Sequence, residues 1–89
     1  MKIELFTSDQ CPRCERAKHE LRELVASLNK TRYNDIELCE INVLNELDYC
    51  VEMGITVTPS IALNGKLAFS SLPKTATLKQ TILEQLNHE

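Results

Sequence analysis

The stretch Ser8–Lys18, "SDQCPRCERAK", places two cysteines three positions apart, at the point where one hydrophobic rhythm stops and another begins. Ahead of it, "KIELF" (Lys2–Phe6) alternates apolar and polar side chains and runs into the turn-forming cluster "TSDQ", which predicts a strand entering a loop. Behind it, Cys14, Ala17, Leu21, Leu24, Val25 and Leu28 recur at steps of three and four, while Glu15, Arg16, Glu20, Arg22 and Glu23 fall between them. That spacing predicts an amphipathic helix from Pro12 to Asn29, where the polar run "NKTRYND" ends it. Proline suits its first turn because the N–H it lacks has no partner there.

Reading outward, "IELCEIN" (Ile36–Asn42) predicts a second strand. Leu44, Leu47 and Val51 stand at helical steps in a segment that reaches Met53, and Gly54 is placed to close it. In "TVTPSIALNGKLAF", Asn64-Gly65 separates the apolar runs Ser60–Leu63 and Lys66–Phe69, a strong hairpin signal because both turn positions accept positive φ. After Pro73, Leu78, Ile82 and Leu86 mark one face of a last helix. The order is βαβαββα, and strands that alternate with helices imply parallel pairing through right-handed crossovers, hence an α/β layered domain.

Composition narrows the function. The 89 residues suit one domain, and 43% hydrophobic with 26% charged residues is ordinary globular usage. A net charge of -3, spread as mixed signs with few aromatics, leaves no footprint for a nucleic-acid surface. The short apolar stretch at the N-terminus contains Glu4 and is not read as a signal peptide, nor does any run reach membrane-spanning length. A cytoplasmic, reducing location is therefore expected, where a Cys pair is more often catalytic or metal-binding than structural.

A zinc site built from Cys11, Cys14, Cys39 and Cys50 needs a second close pair or a histidine at ligand spacing, and "CEINVLNELDYC" offers neither. Neither a metal nor a cofactor is expected. Electron shuttling fits the position better. A thiol in the first turn of a helix meets the positive end of the helix dipole and its free N–H groups, so the thiolate at Cys11 is favoured. Cys14, one turn further in, is less exposed and can reach back to Cys11 as a resolving thiol.

Three segments resemble the thioredoxin superfamily in its small, glutaredoxin-like form. "CPRCERAK" (Cys11–Lys18) is similar to that family's Cys-Pro-x-Cys-x-x-Ala-Lys opening. "YCVEMGITVTPSIALNGK" resembles its helix end in Gly-Ile, with a proline four residues on and an Asn-Gly hairpin after the next strand. "FSSLP" resembles its Phe-x-Gly-x-Pro turn, with Ser71 in place of the glycine. The resemblance covers nearly the whole chain. It implies a thioredoxin-like fold, a four-stranded mixed sheet sandwiched by three helices, and reduction of protein disulfides by Cys11 and Cys14. It also implies a cis bond at Pro59, with Thr58 pairing with an extended substrate; read alone, Pro59 equally suits the start of an edge strand. Pro12, Arg13 and Lys18 become supporting residues, the two cations either favouring the thiolate or belonging to a solvated helix face.

The chain departs from glutathione-using glutaredoxins: Gln10 precedes Cys11, Arg13 replaces an aromatic, and "SSLPK" replaces a Gly-Gly. A donor of the thioredoxin-reductase type is expected in place of glutathione, with protein disulfides as substrates, no nucleic-acid or membrane partner, and a monomer. Glutathione-linked exchange and a non-catalytic binding module remain as alternatives. Cys39 and Cys50 read as core-filling thiols, or as a regulatory thiol or second bridge. His19 and His88 read as surface residues, and the family's buried acid near the Cys pair is not evident.

Overall fold

Residues 1–31 and 35–87 are described by a computed structural model; Arg32–Asn34, inside the polar run after the first helix, and His88–Glu89 lie outside it. The elements are β1 (Lys2–Thr7), α1 (Pro12–Asn29), β2 (Glu37–Asn42), α2 (Leu47–Met53), β3 (Ser60–Leu63), β4 (Lys66–Phe69) and α3 (Thr75–Asn87). They form one four-stranded sheet in the order β2-β1-β3-β4, with β1 parallel to β2 and antiparallel to β3, and β3 antiparallel to β4. This is the expected α/β arrangement, a mixed sheet between three helices.

The sheet separates two apolar clusters. On one face Ile3, Leu5, Ile61 and Leu63 pack with Ala17, Leu21, Leu24, Val25 and Leu28 of α1 and with Leu78 and Ile82 of α3. Every position of the helical stripe read along α1 is buried. On the other face Phe6 and Ala62 meet Cys50 of α2, with Tyr49, Met53 and Ile55 partly buried around them. Because β1 is flanked by a strand on each side and covered on both faces, Ile3 to Thr7 are all buried. The alternation in "KIELF" therefore does not mark a solvent face: Glu4 is 2% exposed.

Local signals hold where backbone chemistry dictates them. Asn64 and Gly65 turn the hairpin at φ 51° and 84°, and the Asn64 side chain accepts a hydrogen bond from the Lys2 N–H at 2.9 Å, which fastens the turn to β1. Gly54 ends α2 at φ 79°, a left-handed position open to glycine without strain. Asn29 at the end of α1 bonds both the N–H and the C=O of Ile36, so the helix exit and the entry to β2 are held together.

The second helix corrects its sequence reading. It begins at Leu47, not Leu44, because the Asn42 side chain accepts from the Leu44 N–H and the Asn42 C=O accepts from the Asn45 N–H, which commits residues 43–46 to turns. Its predicted apolar face is also the outer one. Leu44, Leu47 and Val51 are 62%, 57% and 75% exposed, while Cys50 is buried. A helix this short touches the sheet along a narrow line, and bulk at Phe6 admits the small Cys50 there.

Among the described residues no helix is long and apolar enough to cross a membrane. The two faces of burial predict contrasting substitutions. Leu21→Ala, in the main core, should lower unfolding free energy by roughly 2–5 kcal/mol, whereas Val51→Ser should stay within about 0.5 kcal/mol. Urea denaturation followed by circular dichroism measures both.

Candidate active site

Cys11 is the N-cap of α1, with extended backbone angles (φ -119°, ψ 97°), and Pro12 follows in the first turn. Its C=O accepts from the N–H groups of Cys14 and Glu15 at 3.0 and 3.2 Å, so the helix starts on this residue. Its sulfur accepts from the Cys14 N–H at 3.1 Å, the bond that Ser or Asp makes at an ordinary N-cap. Cys11 and Cys14 are joined as a disulfide, with Cα atoms 5.2 Å apart. Cys11 is half-buried and reachable, while Cys14 is 1% exposed.

The Thr58–Pro59 peptide is cis, and Pro59 is buried at the entry to β3. The Thr58 hydroxyl is 2.8 Å from that of Ser8, which ties this loop to the one leading from β1 into Cys11. Asp9 in the same loop accepts from the Asn42 side chain at 2.9 Å. Three segments thus converge at one end of the sheet. Arg13, Val57, Thr58 and Pro59 line a cleft of about 570 Å³ together with Ser70–Lys74, the loop before α3, and Thr75 at the start of that helix. Lys18 is not part of it. Its ammonium pairs with Glu15 at 3.2 Å, so its charge is already engaged on the helix surface.

This arrangement can do one kind of chemistry well. A sulfur set among helix N-terminal amides is stabilised as a thiolate when reduced, and a second, shielded sulfur lies one turn away to displace whatever the first has bonded.

Residues 1–83 match the family described as "Thioredoxin domain". Over 86 residues the chain is 34% identical to a thioredoxin of Methanocaldococcus jannaschii, covering 97% of this chain and 96% of that protein. The chain belongs to the thioredoxin family. It is also 29% identical to a probable thioredoxin of Methanothermobacter marburgensis, with 97% and 96% covered. Among solved structures, thioredoxin 1 from Thermosipho africanus superposes with a TM-score of 0.76 at 20% identity, covering 98% and 96% of the two chains, which concerns the fold alone. As a thioredoxin-family member with its Cys-x-x-Cys pair bridged at a helix start, the chain is a thiol–disulfide oxidoreductase that reduces protein disulfides.

The other thiols of this chain are differently set. Burial pushes the Cys50 thiol up from its ordinary range, with Glu46 and Glu4 adding to the effect, and this residue fills the core as expected. Cys39 does not: it is half-exposed on the edge strand β2 and donates to Glu37 at 3.6 Å, and desolvation followed by that bond raises its pKa. His19 is exposed and 3.4 Å from Glu23, and His88 falls outside the described residues. Among the described residues no three His, Cys, Asp or Glu side chains gather where they could hold a metal.

Sequence reasoning missed Ser8 and the buried Glu4, since neither follows a spacing rule. Glu4 accepts from the Tyr49 hydroxyl at 2.5 Å and sits on the Phe6 side of the sheet, opposite α1. That bond, with burial second, pushes the Tyr49 pKa from 10.0 up to about 12. The folded chain therefore holds this proton more tightly than the unfolded one. The resulting stabilisation is complete below pH 10 and is lost as the pH climbs from 10 towards 12. Thermal denaturation should show the Tyr49→Phe protein losing less stability over that window than the native protein.

Proposed function

We propose that Cys11 is the attacking thiol and Cys14 the resolving thiol of the reductive cycle. The Cys11 thiolate attacks one sulfur of a substrate disulfide, and the other substrate sulfur leaves as a thiolate. The Cys14 thiolate then attacks the Cys11 sulfur, releases the second substrate thiolate and closes the Cys11–Cys14 bond. Two electrons pass to the substrate. The observation that carries this order is the contrast in access: Cys11 can be reached from outside, and Cys14 is 1% exposed.

Pro12 supports the site by starting α1, and Arg13 places a cation beside the reacting sulfur. Lys18 contributes less, because Glu15 takes up its charge. Thr58 and Pro59 form the substrate platform. The backbone N–H and C=O of Thr58 have no protein partner among the described residues, so they are open to an extended substrate chain. Exposed apolar side chains flank the platform, Val57 at 49% along with Leu47 and Val51, which suits the docking of a protein better than a small thiol.

The electron donor is a reductase-type dithiol system and not glutathione, given Gln10 ahead of Cys11 and "SSLPK" where glutaredoxins carry glycines. The chain works as one monomeric domain, since pairing two copies through the exposed apolar patch would cover the platform. It works in the cytoplasm, where free Cys39 and Cys50 stay reduced.

Two measurements test this reading. Cys14→Ser should accumulate a mixed disulfide with a model protein substrate while Cys11→Ser forms none and loses turnover; the reverse pattern overturns the assignment. In parallel assays a thioredoxin reductase should sustain turnover and glutathione alone should not.

A further inference from the structure

The cleft beside the disulfide has an unbalanced charge. Of the cations that line it, Arg16 is neutralised by Glu20 at 3.2 Å, with the two side chains on successive turns of α1. Arg13 and Lys74 have no carboxylate or other side-chain partner among the described residues. They reach the cleft from different elements, Arg13 from between the two cysteines and Lys74 from the loop before α3. Two unpaired cations on one cleft stand out in a chain whose formal net charge is -3. Val57, Pro59, Leu72 and Pro73 add apolar contact to the lining, and its one carboxylate, Glu20, is the one already paired with Arg16.

From this placement we infer that the enzyme prefers substrate disulfides whose cysteine is flanked, on the cleft side, by an aspartate or glutamate. The inference rests on the reductase reading above and names the substrate class for that site. A substrate chain laid along Thr58 must pass into the cleft on one side and over the apolar Leu47–Val51 surface on the other, because Val57 and Thr58 line both depressions. A carboxylate one or two residues from the attacked sulfur then lies between Arg13 and Lys74. Both cations are exposed, so each adds a modest attraction that salt weakens. Discrimination by charge at a cleft of this kind acts mainly on productive encounter and on register.

The test uses three peptide disulfides alike except for a flanking Glu, Gln or Lys, with kcat/KM measured for the intact protein. The Glu peptide should be reduced roughly three- to tenfold faster than the Lys peptide at low ionic strength, and the gap should close in about 0.5 M salt. The ratio should shrink in Lys74→Gln and further in the double variant with Arg13→Gln. Equal rates for all three peptides, or a Glu preference untouched by Lys74→Gln, overturn the inference. Glutathione disulfide also carries carboxylates but on a tripeptide too short to cross the platform; if it is reduced faster than the Glu peptide, the cleft selects a small disulfide and the inference fails. The Gln peptide separates the two readings: its turnover leaves the reductase reading standing whatever the charge series shows, and its inertness together with that of the others removes both.

Discussion

The Cys14 N–H points at the Cys11 sulfur across 3.1 Å, and the chemistry of the protein follows from holding that sulfur at the first turn of α1. A helix start leaves backbone N–H groups without internal partners and concentrates partial positive charge on them. Polar caps normally satisfy this end; here a sulfur does, and a sulfur so placed is easier to ionise. The effect is directional, so it depends on α1 staying fixed against the sheet. Six buried side chains, from Cys14 to Leu28, supply that fixity, and Asn29 secures the far end of the helix to Ile36.

The second half of the site is positioned from the same strand. β1 lies between β2 and β3 and delivers the Ser8–Gln10 loop, while β3 follows directly on the cis proline. The Ser8–Thr58 hydroxyl contact links the two loops, so the Cys11 sulfur and the proposed substrate platform are tied to one another. On either side of that platform lie surfaces of opposite character. One is the cationic cleft towards α3, and the other is the apolar skin of α2. In the proposed docking, a substrate chain crossing the platform meets both.

Much of this is readable in the residues where the chemistry is local. Asn64-Gly65 and Gly54 adopt the positive φ values their types permit, and the stripe along α1 is buried at each position it marks. The Cys pair is bridged and Thr58–Pro59 is cis, as the resemblance implies. What stays hidden depends on partners distant in sequence. Leu44, Leu47 and Val51 have helical spacing, yet spacing cannot say whether a neighbour covers the face they share. Glu4 reads as a solvent-facing residue of an alternating strand until Tyr49, 45 residues away, supplies a hydrogen bond and makes burial tolerable.

The redox chemistry stands on the state of one sulfur, and the pH dependence of its alkylation is the most direct measurement of it. With the protein reduced and Cys39 and Cys50 replaced by serine and alanine, the reaction of Cys11 with iodoacetamide is followed from acid to alkaline pH. Folded protein should react with a midpoint at least one unit below the value of about 8.5 for a free thiol, and unfolding in urea should restore the ordinary midpoint. A folded midpoint at or above the unfolded one would contradict the claim that the start of α1 activates Cys11.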